Sequence, residues 1–214
     1  MRCVLIRHGE TAYNHEGRFQ AHVDIPLNET GRAQARTVAR RLDRRRWDLV
    51  ASSDLTRSVE TADLIAQEIG AARITLPALR ERDLGELDGL PTKEYARCHP
   101  EDMRRLQTEY GYAPPGGETA AAALDRFCRG LSSIAEGRPH SAGADKAVLV
   151  VAHGAVLKFF GARFLRRDPA EVELPGNCRG VAAVLGRQPA TGDGWADVRG
   201  WDVAPHHCER SWGE

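Results

Sequence analysis

The chain reads as a three-layer α/β/α domain, with a mostly parallel central sheet flanked by helices and a small helical cap over the carboxyl ends of the strands. Three observations predict this. Short apolar runs alternate with segments of helical periodicity, the order that builds parallel sheets covered on both faces. Two of the runs, Cys3–Ile6 and Ala147–Ala152, contain no polar residue, as strands buried on both sides require. Residues 88–117 break the rhythm with charges, glycines and prolines, and are read as the cap, an insertion within a single domain spanning 1–214.

Each element has its own signal. Cys3–Ile6 is the first buried strand. Arg32–Leu42 carries apolar residues at Ala33, Ala35, Val38, Ala39 and Leu42, a helical spacing, with Asn28 as its N-cap. Leu49–Ala51 is a second short strand. Asp54 is placed to cap a helix that runs to about Ile69 and stops at Gly70. Ile74–Leu76 is a third strand, and Leu79–Leu90, with two glycines and several charges, is a loop. Thr92–Tyr110 is helical in pieces, Pro114-Pro115-Gly116-Gly117 is a break, and Glu118–Glu136 is an amphipathic helix. Ala147–Ala152 leads through His153-Gly154 into a helix from Ala155. Val181–Leu185 and Trp195–Trp201 are late strands, the first near a sheet edge where it could pair in a homodimer.

Composition narrows the function. At 214 residues the chain can bury one sizeable core. Lys+Arg and Asp+Glu are 30 each, so charge gives no case for nucleic acid or an anionic membrane as partner. The cluster Arg40, Arg41, Arg44, Arg45 and Arg46 reads as a solvated helix end favoured by the helix dipole. The longest purely apolar run, Ala147–Ala152, is too short to span a bilayer. Four apolar residues between Arg2 and Arg7 do not make a signal peptide. Five cysteines (Cys3, Cys98, Cys128, Cys178 and Cys208), an odd number without C-x-x-C spacing, suit reduced thiols in a cytoplasmic protein. There is no P-loop, dinucleotide fingerprint or zinc spacing, and the expectation is neither metal nor cofactor.

The chemistry gathers at strand ends. Arg7-His8-Gly9-Glu10-Thr11 follows the first strand directly, placing a cation and an imidazole where open α/β sheets build their sites. Gly9 is expected to let backbone approach a ligand. Val151-Ala152-His153-Gly154 repeats the histidine–glycine pair at a second strand end, and neighbouring strands would bring both imidazoles into one pocket. Ser52-Ser53-Asp54-Leu55-Thr56-Arg57-Ser58 follows a third strand and opens a helix. Arg57 then lies in the first turn, where its planar guanidinium can grip two phosphate oxygens. Phosphoryl transfer also needs an acid for the departing oxygen. Glu81 is the candidate, with Asp83, Glu86 and Asp88 as rivals that spacing alone does not separate. Asn14, six residues after His8, offers a side-chain amide.

Taken in order, these segments resemble the histidine phosphatase superfamily, in its phosphoglycerate-mutase-like branch. The resemblance also takes in Asp24-Ile25-Pro26-Leu27-Asn28 with Gly31-Arg32-Ala33-Gln34-Ala35, Gly85 with Gly89, and Pro115-Gly116-Gly117-Glu118-Thr119. It implies a doubly covered α/β sheet and a metal-independent phosphomonoesterase acting through a phosphohistidine on a small phosphorylated metabolite. By matching position, His8 is the nucleophile, Arg7, Arg57 and His153 bind the phosphoryl group, and Glu81 is the proton donor. Asn14 and Gln20 match positions that contact phosphate or substrate, and Gly154 belongs to the same strand end. Ala21 departs from the glycine that many relatives carry after the glutamine. For the mechanism, His8 must be unprotonated on its attacking nitrogen, with the other nitrogen donating to a backbone carbonyl.

Phosphoglycerate mutase is the alternative, and a non-catalytic phosphate-binding protein on the same fold is the reading of another class. Only 28 residues separate Gly89 from Glu118, and the tail Ala204–Glu214 is short and polar apart from Trp212; both favour hydrolysis over a shielded phosphoenzyme. In the cap, Arg82, Lys93, Arg97, Arg104 and Arg105 are candidates to meet a substrate anion, Arg82 first because it adjoins Glu81. Tyr95, Tyr110 and Tyr112 could stack on a sugar or base. Cys98-His99-Pro100-Glu101-Asp102-Met103-Arg104 has the spacing of a thiol phosphatase loop, but Glu101 and Asp102 would repel a dianion and Pro100 lacks a donor. His206-His207-Cys208 is too crowded to read as a metal site.

Overall fold

The computed structural model describes residues 1–136 and 147–185, and the backbone alone of 196–203. The strands are β1 (Arg2–Arg7), β2 (Leu49–Ser52), β3 (Ala72–Thr75), β4 (Ala147–Ala152), β5 (Gly180–Leu185) and β6 (Ala196–Val203). The helices are α1 (Ala12–Glu16), α2 (Glu29–Arg41), α3 (Thr56–Ile69), α4 (Thr92–Cys98), α5 (Pro100–Thr108), α6 (Ala120–Ala135) and α7 (Gly154–Leu165).

Among the described residues the strands form one sheet in the order β3-β2-β4-β1-β5-β6. The first four run parallel, and β5 and β6 add antiparallel pairings at one side. Side chains alternate between faces along each strand. Cys3, Leu5, Val148 and Val150 pack against α6 and α7 on one face, while Val4, Ile6, Leu149 and Val151 pack against α2 and α3 on the other. That alternation is why the runs at β1 and β4 can be wholly apolar. Phe127 and Phe160 meet edge-on at 5.9 Å in the first layer, each ring worth about 1.5–3 kcal/mol when buried.

The helix boundaries follow their caps. Asn28 accepts from the Gly31 N–H at 2.8 Å and starts α2, and Thr119 accepts from Ala122 N–H to start α6. Asp54 does not cap α3 as expected. The N-cap is Leu55, without a side-chain bond, and Asp54 instead takes both Nε and Nη2 of Arg80 at 2.7 and 2.6 Å. The cap is supplied from a distant loop: Asp24 accepts from the Thr56 N–H at 2.7 Å and from its hydroxyl at 2.8 Å. A bidentate arginine outcompetes a local cap for one carboxylate, and no local pattern could announce the substitute.

β5 is also corrected. Val181–Leu185 is not a free edge, because β6 pairs along it, so the expected dimer contact through that strand is already occupied. Trp195 and the tail from Ala204, with His206-His207-Cys208 and Trp212, lie outside the described residues.

Residues 88–117 carry α4 and α5. Leu84, Leu87 and Leu106 join Phe19 and Ala21 in a small core of their own, with Tyr95 edge-on to Phe19 at 5.6 Å. Cys98 and Arg104 sit on either side of the corner between the two helices, and Arg104 is bound to Glu101 and Glu109, so the segment is no phosphate cradle. Among the described residues no helix is long and apolar enough to cross a membrane.

Candidate active site

The register of the sheet assembles the site. Arg7 of β1 pairs with Ala152 of β4, and Ser52 of β2 pairs with Val151. His8, His153 and Ser53 are therefore the first residues beyond three adjacent strand ends. The imidazoles of His8 and His153 come to rest with ring centroids 5.2 Å apart. Both are buried, as are Arg57 and Glu81.

His8 Nδ1 lies 2.7 Å from the Gly9 carbonyl. A carbonyl only accepts, so Nδ1 carries the proton and Nε2 presents its lone pair. Arg57 Nε donates to that Nε2 at 3.3 Å. Burial first, then the charges of Arg57 and Arg7, hold the His8 imidazolium well below its usual range. His153 is held down in the same way, by burial and then by Arg57. Two neutral imidazoles thus stand beside two arginines. Burial also pushes Arg57 down to about 10, which leaves it charged at neutral pH.

Arg57 is held by the loop that follows α1. Its Nη2 and Nη1 donate to the carbonyls of Ala21 at 2.7 Å and Val23 at 2.9 Å. With its oxygen turned to Arg57, as the hydrogen-bond network requires, the Gln20 carboxamide shares the single Nε hydrogen with His8, accepting it at the shorter distance of 2.7 Å, and donates to Thr11 Oγ1 at 2.6 Å. The fork expected to grip two phosphate oxygens therefore grips two loop carbonyls in this structure. Arg7 differs: Nη1 donates to the Pro175 carbonyl at 3.2 Å, while its buried Nε has no partner among the described residues. The buried Nδ1 of His153 is likewise unpartnered. Buried polar groups are nearly always bonded, and these two atoms are the buried side-chain nitrogens without a protein partner among the described residues.

The four carboxylates that spacing could not rank are separated by geometry. Glu81 lies at the amino end of α7, where its oxygens accept from Ala155 N–H (2.8 Å), Val156 N–H (3.0 Å) and Arg82 N–H (2.8 Å). It is the carboxylate whose charge reaches Arg7 and Arg57 most strongly. Asp83 accepts from Gly85 N–H, Asp88 from Ala21 and Val23 N–H, and Glu86 is exposed.

Arg82 is corrected. It is buried, and its three nitrogens donate to the carbonyls of Glu118, Leu106 and Tyr112 at 3.0, 2.8 and 2.6 Å. It ties the cap to the body rather than meeting a substrate. Arg104 and Arg105 pair with Glu101 and Glu109, while Lys93 and Arg97 are exposed on α4. Tyr95 and Tyr112 pack on the cap core, and Tyr110 stacks edge-on with Phe159 at 5.1 Å. At Gly9 an added Cβ would stand 2.6 Å from the Gly31 carbonyl oxygen, so the missing side chain admits the backbone of α2 at close range. Gly154 opens α7 against Arg7, with an added Cβ 3.5 Å from Arg7 Nε. Asn14 uses its oxygen to accept from the Thr11 N–H in the cap of α1 and from the Asn177 amide.

Sequence reasoning missed several residues of the site. Ser53 Oγ lies 2.7 Å from His153 Nε2. Asn177 donates to the His8 carbonyl at 2.9 Å and also to Asn14. Thr61 accepts from the Gly9 N–H at 3.0 Å and donates to the Arg57 carbonyl at 2.7 Å. Ser53 stood inside a quoted motif and could have been found; Asn177 lies in an irregular loop without pattern. Among the described residues no group of His, Cys, Asp and Glu could hold a metal ion.

Comparison with known proteins agrees with this geometry. The model of the histidine phosphatase superfamily (branch 1) matches residues 3–187. Phosphoglycerate mutase-like protein 4 of Arabidopsis thaliana is 38% identical over 159 residues, 72% of this chain and 67% of its own. The metal-independent phosphoserine phosphatase of the same plant is 36% identical over 199 residues, 91% and 81% of the two chains. The structure of a mycobacterial glucosyl-3-phosphoglycerate phosphatase with VO3 superposes with a TM-score of 0.80 at 28% identity, covering 95% of this chain and 99% of that one. The chain belongs to the histidine phosphatase superfamily, branch 1, as a phosphoric monoester hydrolase.

Proposed function

We propose that the chain hydrolyses small phosphomonoesters by transient phosphorylation of His8, with Arg7, Arg57 and His153 binding the transferred group and Glu81 serving the leaving oxygen. The observation that carries this reading is the pairing of a lone-pair-bearing His8 Nε2 with two unpartnered buried donors, Arg7 Nε and His153 Nδ1, across one set of strand ends. His8 Nε2 attacks phosphorus and the bond to the alkoxide breaks. The guanidinium charges and the His153 N–H offset the charge on the equatorial oxygens in a site that water does not screen. Glu81, an acceptor of three backbone N–H groups, relays a proton from the substrate's monoanionic phosphate to the departing oxygen; in the second step it takes one from the water that attacks the phosphohistidine and returns it to the released phosphate. Alcohol and inorganic phosphate leave, and no metal is needed for any step.

The leaving alcohol is a small metabolite, a phosphorylated sugar, a phosphoglycerate derivative or a nucleoside-type phosphate. The relative named for glucosyl-3-phosphoglycerate lies within this range, and the one named for phosphoserine is likewise named for a small phosphomonoester. Asn14, bonded to the same Asn177 amide that reaches the His8 carbonyl, and Gln20, bonded to Arg57, are the side chains that would meet the substrate beside the reacting group. Cysteines without disulfide partners among the described residues support a cytoplasmic setting.

The test is phosphate release from a panel of phosphomonoesters in a chelator, with His8→Ala as control, and acid-labile labelling of the wild type by 32P substrate. Release and labelling by the wild type alone support the reading. Interconversion of phosphoglycerates without release would replace it with a mutase, and binding of phosphate without either activity would replace it with a binding protein.

A further inference from the structure

We propose that Ser53 is a positioning residue that decides which nitrogen of His153 carries the proton. The imidazole is neutral, so it has one N–H and one lone pair, and two tautomers are open to it. Only the form protonated on Nδ1 can donate to a phosphoryl oxygen from the nitrogen that has no protein partner among the described residues.

The hydroxyl settles the choice. Ser53 is fully buried, and its Oγ already accepts from the Leu55 N–H at 3.4 Å. Its own proton needs an acceptor. Among the described residues the one within reach is His153 Nε2, at 2.7 Å. Were Nε2 protonated, two hydrogens would face each other across that distance, or the hydroxyl proton would be buried with nothing to receive it, a cost of about 1–3 kcal/mol. With Nε2 accepting, Nδ1 must carry the hydrogen. The two imidazoles then share one arrangement with opposite consequences. In His8 the Gly9 carbonyl draws the proton to Nδ1 and frees Nε2 as a nucleophile. In His153 the Ser53 hydroxyl occupies Nε2 and leaves Nδ1–H as a donor.

Ser53 is placed for this by the sheet. It is the residue after β2, and its N–H donates to the Val151 carbonyl at 3.4 Å, continuing the pairing of β2 with β4 by one residue. The strand register therefore sets the distance between the hydroxyl and a ring two residues farther along the neighbouring strand.

The consequence for rate rests on the phosphatase reading; the consequence for the ring does not. The experiment is long-range 15N–1H NMR of 15N-histidine-labelled protein, with His153→Ala to assign the signals, in wild type, Ser53→Ala and Ser53→Thr. Alongside it, kcat/KM and inhibition by inorganic phosphate are measured. The expected result is an Nδ1–H tautomer for His153 in the wild type. Ser53→Ala should show loss or mixing of that tautomer, a fall of about 10–100-fold in kcat/KM and weaker phosphate inhibition, while the His8 signals stay in place; Ser53→Thr, which keeps the hydroxyl, should stay near wild type in tautomer. An Nε2–H tautomer in the wild type overturns the proposal by itself, whether or not the variants fold. Retention of both tautomer and rate in Ser53→Ala overturns it too. A tautomer that shifts as expected in a protein that hydrolyses no phosphomonoester would uphold the role of Ser53 on the ring and remove the phosphatase reading instead.

Discussion

Asp88 and Arg57 grip the same two residues from opposite edges: the carboxylate accepts from the N–H groups of Ala21 and Val23, and the guanidinium donates to the carbonyls of those residues. Through this strip of backbone, the base of the cap holds the arginine of the phosphate pocket. Asp88→Asn keeps the shape and one acceptor, but turns an NH2 toward one of the two N–H groups. A lost charge-assisted bond is worth about 1.5–3 kcal/mol. The expected outcome is a fall of about 10–100-fold in kcat/KM with phosphate inhibition weakened in parallel. A rate unchanged within twofold, in a variant whose melting point has dropped, would mean that the strip serves stability alone.

Acid should loosen the protein through its histidines. The His8 and His153 imidazoles are held well below 6.5 by burial and the arginine charges, whereas in the unfolded chain both return to about 6.5. Below that pH the unfolded state binds protons that the folded state refuses, so stability rises with pH in this window. Their contribution is complete above about 6.5 and is lost as pH falls toward the folded values, at up to about 1.4 kcal/mol per pH unit for each ring. Urea unfolding between pH 5 and 8 measures the slope, and His8→Ala should flatten it. An equal slope in that variant would assign the acid sensitivity to other groups.

The strand ends were legible because the chemistry there is written in contiguous letters. A wholly apolar run followed by histidine and glycine names a strand and its terminal residue at once, and β1 and β4 both have that form. What stayed hidden is what depends on the third dimension. Asp24 caps a helix that begins 32 residues later, and Asp88 holds a loop 65 and 67 residues earlier. Arg82 looked like a substrate ligand because it adjoins Glu81. Yet a residue's chain neighbour need not share its direction, and Arg82 turns into the cap.

That turn makes Arg82 a stability residue. Arg82→Ala removes a buried side chain and leaves the carbonyl of Leu106 in a buried setting, and those of Tyr112 and Glu118 in half-buried ones, without their donor. Each orphaned acceptor costs about 1–3 kcal/mol, so a loss of about 3 kcal/mol or more in urea unfolding is expected. An arginine that bound substrate would behave otherwise, with KM raised and the unfolding midpoint untouched.

Glu81 can be tested through the leaving group. Glu81→Gln retains a side chain of the same shape at the amino end of α7 but cannot carry the proton. For an alkyl phosphate, whose leaving oxygen needs that proton, kcat should fall by about 10²–10⁴-fold. For a nitrophenyl phosphate, whose leaving group departs as a stable anion, the first step should be nearly unaffected, and a burst of nitrophenol should precede slow turnover. Equal losses with both substrates would shift Glu81 from proton transfer to positioning.

Gly31 controls the loop that carries His8. An added Cβ would stand 2.1 Å from the Glu10 carbonyl oxygen and 2.7 Å from the Glu10 nitrogen, both backbone atoms that no rotamer change can move aside. The loop is fixed on its other sides, with the Glu10 N–H bonded to Gln34 at 2.9 Å and the Gly9 N–H to Thr61 at 3.0 Å. Gly31→Ala must therefore displace α2 or the residues next to the nucleophile, at a cost of about 1–3 kcal/mol. Both routes strain the bond from Nδ1 to the Gly9 carbonyl that orients His8, so kcat/KM should drop by at least about tenfold. Gly17→Ala is the control. Gly17 has φ of 68° and open space around it, so the change costs about 1 kcal/mol through backbone strain and leaves the rate as it was. If the two variants lose rate in proportion to stability alone, the contact between α2 and the His8 loop has no bearing on catalysis.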